Sequence, residues 1–139
     1  MTNKSLVVVV AMFLFGCSAA TGPVRSGESR PEEAVALRAQ ARWDALKKGD
    51  FDAAYRMLSP ASRDVMKIEA FRRRGAMATW KEAMVKDVTC QSRDVCKAAV
   101  EVRYLYRGRG GVQLENVQAL SEDWANISGE WWYIPPELF

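Results

Sequence analysis

Lys97-Ala98-Ala99-Val100-Glu101-Val102-Arg103-Tyr104-Leu105-Tyr106-Arg107 decides the fold, because its residues switch character in register with a strand. Ala98, Val100, Val102, Tyr104 and Tyr106 alternate with Lys97, Glu101, Arg103 and Arg107, the period of two that buries one face of a strand. The next residues, Gly108-Arg109-Gly110-Gly111, can only turn the chain. A long third strand is expected from Val112 towards Ile127, with a parity slip at Glu115-Asn116 that a β-bulge would absorb. Ser128-Gly129 signals a tight turn, Trp131-Trp132-Tyr133-Ile134 a last strand, and Pro135-Pro136 its end. Upstream, Met84, Val88 and Cys90 share one parity, which places a first strand after Trp80.

Before Trp80 the period is helical. Ser29 and Glu32 have capping-box spacing, Pro31 fits a first turn, and Val35, Ala39, Trp43 and Leu46 fall on one helix face. Lys47-Lys48-Gly49 supplies cations and a stop. Asp50 caps a short second helix bearing Phe51, Ala54, Tyr55 and Leu58, and Ser59-Pro60 starts a third helical stretch running to about Arg74. Helices first and antiparallel strands afterwards describe an α+β domain with helices on one face of a sheet.

The first 16 residues read as a processing signal. Lys4 precedes an unbroken apolar run from Leu6 to Phe15, too short for the roughly 20 residues of a spanning helix. The run ends in Leu14-Phe15-Gly16-Cys17, which resembles the lipobox of bacterial lipoproteins, with Phe15 departing from the usual small residue. That resemblance implies cleavage before Cys17, acyl chains on that cysteine, and a membrane as partner. With Ser18 rather than Asp after the cysteine, it implies an outer-membrane location facing the periplasm. Residues 17–30 then form a lipidated, Gly/Pro-marked tether spanning about 20 Å as a coil, and residues 31–139 form one domain.

Composition excludes more than it selects. The chain has 20 Lys and Arg against 17 Asp and Glu, a balance that calls for no nucleic acid, and it has no histidine. The commonest general base and metal ligand is thus absent. Cys90 and Cys96 lie between two strand-like runs, where an oxidising compartment favours a bridge over two free thiols. Two thiolates without histidine cannot complete a metal tetrahedron, so neither metal nor cofactor is expected. Arg72-Arg73-Arg74, with Arg63 and Lys67, reads as a solvated helix face, and the sequon Asn126-Ile127-Ser128 as chance. Trp43, Tyr55, Trp80, Tyr104, Tyr106, Trp124, Trp131 and Trp132 are candidates for a pocket or an interface. Trp131 and Tyr133 point to one face of the last strand, Trp132 and Ile134 to the other. Covering both faces calls for the helices on one side and a second subunit or partner on the other.

Trp43…Lys48-Gly49-Asp50-Phe51-Asp52-Ala53-Ala54-Tyr55-Arg56-Met57-Leu58-Ser59-Pro60 resembles the opening of NTF2-like (nuclear transport factor 2-like) domains. Trp124…Gly129-Glu130-Trp131-Trp132-Tyr133-Ile134 resembles the closing hairpin of small NTF2-like lipoproteins. The resemblance implies a cone, a strongly bent antiparallel sheet wrapped round helices, often holding a pocket and often dimeric. Enzymes of that superfamily use an Asp/Tyr acid–base pair or histidine; no such carboxylates can be matched here, and fold alone carries no activity. The expected function is a membrane-tethered, non-catalytic module that binds a partner protein or helps assemble an envelope complex. A carrier or sensor of a small apolar ligand is the alternative, and an Asp/Tyr enzyme a more distant one.

Overall fold

The computed structural model describes residues 30–136. Four helices, α1 (Pro31–Lys48), α2 (Phe51–Arg56), α3 (Pro60–Val65) and α4 (Ile68–Gly75), precede four strands, β1 (Ala78–Ser92), β2 (Val95–Arg107), β3 (Gln113–Ile127) and β4 (Glu130–Ile134). The capping-box reading is only half right: α1 starts at Pro31 with Arg30 as its uncapped N-terminal neighbour, and Ser29 lies outside the described residues. At the other end Gly49 takes φ 75°, a left-handed conformation that costs glycine little. Its N–H and that of Asp50 donate to Leu46 and Ala45, closing the last turn. Asp50 accepts from the Ala53 N–H at 3.0 Å and Ser59 from the Ser62 N–H at 3.1 Å, the two caps the sequence signals. The third helical stretch is broken: Met66 is extended and α4 starts afresh at Ile68.

The strands form one antiparallel meander in the order β1-β2-β3-β4. This corrects the expected NTF2-like cone, since the sheet is open. Closure is not on offer physically, because β4 has five residues and Pro135-Pro136, lacking N–H donors, stop its ladder. β3 pairs with β2 without a register shift, so the bulge expected at Glu115-Asn116 is absent. Its residues from Gln113 to Ala119 are all exposed, and burial there imposes no parity for a bulge to restore. The irregularities lie in β1 instead, between Trp80 and Glu82, Val85 and Asp87, and Cys90 and Ser92.

One sheet face packs on α1. Val35, Ala39, Trp43 and Leu46 meet Ala98, Val100, Val102 and Trp124 in a single core, as the two periodicities require. The Gln40 amide pins α1 to β1, donating to the Ala83 carbonyl at 3.0 Å and accepting from the Val85 N–H at 3.1 Å. The other face is a solvent surface carrying cross-strand ion pairs of Arg103 with Glu82 and Glu115 and of Lys97 with Asp123.

Cys90 and Cys96 face each other across the β1–β2 hairpin and are joined. With so short a loop, reduction is expected to cost about 2–3 kcal/mol. Intact mass of unreduced protein should fall two protons below the dithiol. Both thiols alkylating without prior reduction would contradict the bridge.

Candidate functional site

A cleft of about 260 Å³ opens where α1, the α3–α4 segment and the chain after β4 meet. Its walls are apolar and aromatic, with Trp43, Phe71, Trp80 and Tyr133 prominent, and Arg42 and Arg74 contribute charge. Trp80 is fixed at both ends. Its ring meets Trp43 edge-on at 5.2 Å and Tyr104 at 5.4 Å, and its indole N–H donates to the Gly75 carbonyl at 3.3 Å.

Behind the cleft lies a buried polar cluster. Glu122, on the packed face of β3, is 2 % exposed. Its Oε1 accepts from Arg42 at 2.6 Å and from the Trp43 indole at 2.8 Å, and its Oε2 accepts from the Trp124 indole at 3.3 Å. Arg42 in turn stacks on the Tyr133 ring at 3.8 Å. Burial pushes the Glu122 carboxyl above its ordinary value; Arg42 and the indoles pull the other way without overcoming it. Burial likewise raises the Tyr133 phenol. A raised carboxyl is the mark of an acid–base residue, but both Glu122 oxygens are engaged and the residue does not line the cleft. Its chemistry is to hold α1 on the sheet.

The eight aromatic candidates therefore separate. Trp43 and Trp80 line the cleft, with Tyr104 behind Trp80. Tyr55 does local work: its hydroxyl donates to the carbonyls of Met66 at 2.8 Å and Arg63 at 3.2 Å. Trp124 and Trp131 are core, while Tyr106 is exposed. Trp132 is half-buried between the guanidiniums of Arg38 at 5.5 Å and Arg63 at 5.3 Å. Trp131, not Trp132, is thus the tryptophan of β4 that faces the helices, and the Trp132 ring lies against arginines of its own chain. The proposed lipidation site, Cys17, lies outside the described residues. Among those residues, no helix is long and apolar enough to cross a membrane.

Sequence reasoning missed Arg42, Glu122 and Tyr133, although the signals existed. Arg42 continues the Val35–Ala39 face at helical spacing, and Glu122 shares the strand parity of Trp124.

A second feature is the far end of the sheet. β1, β2 and β3 have 15, 13 and 15 residues and outrun the short β4. Ala78, Tyr106 and Leu114 are neighbours across three strands on the core-facing side, yet Tyr106 and Leu114 are 48 % and 56 % exposed. Met77 and Val112, which flank β1 and β3 at that end, are exposed as well. Arg107 and Arg109 stand beside them with no ion pair among the described residues.

No protein-family model matches the chain, and no curated protein sequence does. Solved structures do. A SEC-C motif containing protein from Rhodopseudomonas palustris superposes with a TM-score of 0.60 at 17% identity, over 79% of this chain and 80% of that one. A second, from Psychrobacter arcticus, gives 0.60 at 14% identity over 96% and 77%. A Xanthomonas campestris protein named after the calcium/calmodulin dependent protein kinase II association domain gives 0.52 at 16% over 72% and 80%. At these identities the likeness shows the fold alone. These neighbours overturn the resemblance to NTF2-like lipoproteins: the two higher-scoring are SEC-C motif containing proteins, and none is described as a lipoprotein.

Proposed function

We propose that this chain is a non-catalytic binding module, held at the bacterial cell envelope through Cys17, that docks a partner protein on the overhanging end of its sheet. The observation that carries this reading is the grouping of Met77, Tyr106, Val112 and Leu114 at one end of the sheet, four of the ten large hydrophobics exposed among the described residues. Arg107 and Arg109 at the rim complement a partner that presents apolar side chains flanked by acidic ones. The cleft ranks second. Its volume of about 260 Å³ is below the roughly 300–1,000 Å³ of small-molecule sites. Its aromatic walls still suit a small apolar ligand, which native mass measurement on envelope-extracted protein would detect.

Two variants test the proposal. Tyr106→Ser with Met77→Ser is expected to lose, at least tenfold, a discrete partner that wild type retains from crosslinked envelopes, with unchanged melting. Equal recovery by variant and wild type contradicts partner docking at this end. Cys17→Ser is expected to abolish labelled-palmitate incorporation and membrane fractionation. Undiminished label would end the anchoring half of the proposal.

A further inference from the structure

β3 pairs with β4 only from Asp123 to Ile127. From Gln113 to Glu122 its second edge therefore has no strand partner among the described residues. Folded proteins guard such edges with lysines, prolines, bulges or covering segments. The opposite edge, β1, is guarded in all these ways but proline: its three register shifts fall at Lys81, Lys86 and Gln91, and Gln40 caps it from α1. Among the described residues, the β3 edge from Gln113 to Leu120 has none of these. Between Gln113 and Ser121 there is no lysine, arginine or proline, and the pairing to β2 runs without a bulge. The single charge, Glu115, is already held by Arg103 at 2.9 Å.

We propose that this edge pairs antiparallel with the same edge of a second copy, centred on Val117, joining two four-stranded sheets into one of eight. The sequence is complementary to itself in that register. Val117 faces Val117, Leu114 faces Leu120, Asn116 faces Gln118, and Gln113 faces Ser121. Glu115 meets Ala119, so the only charge avoids its own copy. Moving the centre by one residue in either direction sets Leu114 against Gln118 or against Glu122 and loses the match. Leucines and amides fall on the core-facing side, where each pair contributes as cross-strand neighbours do. The symmetry is that of an isologous two-fold contact. It leaves the two overhanging ends at opposite ends of the joined segment, and it stands or falls independently of partner docking there.

The test is sedimentation velocity on the purified full chain. Wild type is expected to sediment as a dimer at tens of micromolar. Val117 is half-exposed and outside the core, so Val117→Lys and Val117→Glu should keep the wild-type melting transition. Each alone should be monomeric, because like charges meet at the two-fold axis, and an equimolar mixture should restore the dimer. A monomeric wild type, single variants that remain dimeric, or a mixture that stays monomeric would each overturn the proposal.

Discussion

Glu122→Ala is expected to cost about 3–5 kcal/mol of folding stability, the loss that follows removal of one partner from a buried ion pair. The substitution strips acceptors from Arg42, Trp43 and Trp124 together and leaves a buried guanidinium without its counter-charge. The double variant Arg42→Met/Glu122→Gln should lose less than Glu122→Ala, since it removes both charges and keeps one acceptor for the indoles. Chemical denaturation checks both, and equal losses would place the energy in packing alone. The pH dependence has a definite sign. A carboxyl raised by burial binds its proton more tightly folded than unfolded. Its contribution is therefore full below the ordinary value of 4.5 and declines as pH rises through the raised one. That decline should be missing in Glu122→Gln.

Trp131→Ala is expected to cost a further large sum, about 3–5 kcal/mol, as a core truncation. Trp131 is 8 % exposed and shares the packed face of β4 with Tyr133. Trp132→Ala should cost about 1–2 kcal/mol, since its ring lies under two guanidiniums instead of in the core. Neither should change the sedimenting mass, because neither lies on the β3 edge. Equal destabilisation by the two would mean that the parity of β4 is wrong.

Much of the architecture was legible because it rests on local signals. The alternation from Ala98 to Tyr106, the stop at Gly49 and the caps at Asp50 and Ser59 are set by backbone conformation and side-chain period. The Ser128-Gly129 turn is of the same kind, with φ 55° and 86° and the Asn126 side chain accepting from the Gly129 N–H at 2.9 Å. The cone does not follow from its supporting motifs, because Gly49-Asp50 and Gly129-Glu130-Trp131-Trp132 end helices and close hairpins in any fold. Neither says whether a sheet closes. The sorting of the tryptophans was also out of reach, as it depends on which residues sit across the sheet. Arg38 and Arg63 cover Trp132 from 94 and 69 positions away in the chain, a separation no periodicity encodes. The Arg42–Glu122 pair is equally non-local, its members 80 positions apart.

The central claim is that the overhanging end of the sheet touches a partner protein, and contact can be read by a photoreactive side chain placed there in the living envelope. Probes at Met77 and Tyr106 are compared with probes at Leu37 and Met84, which are exposed elsewhere on the surface. One adduct is expected, of a mass other than twice the chain, from Met77 and Tyr106 alone. Adducts of equal yield from all four positions, or from none, would contradict it.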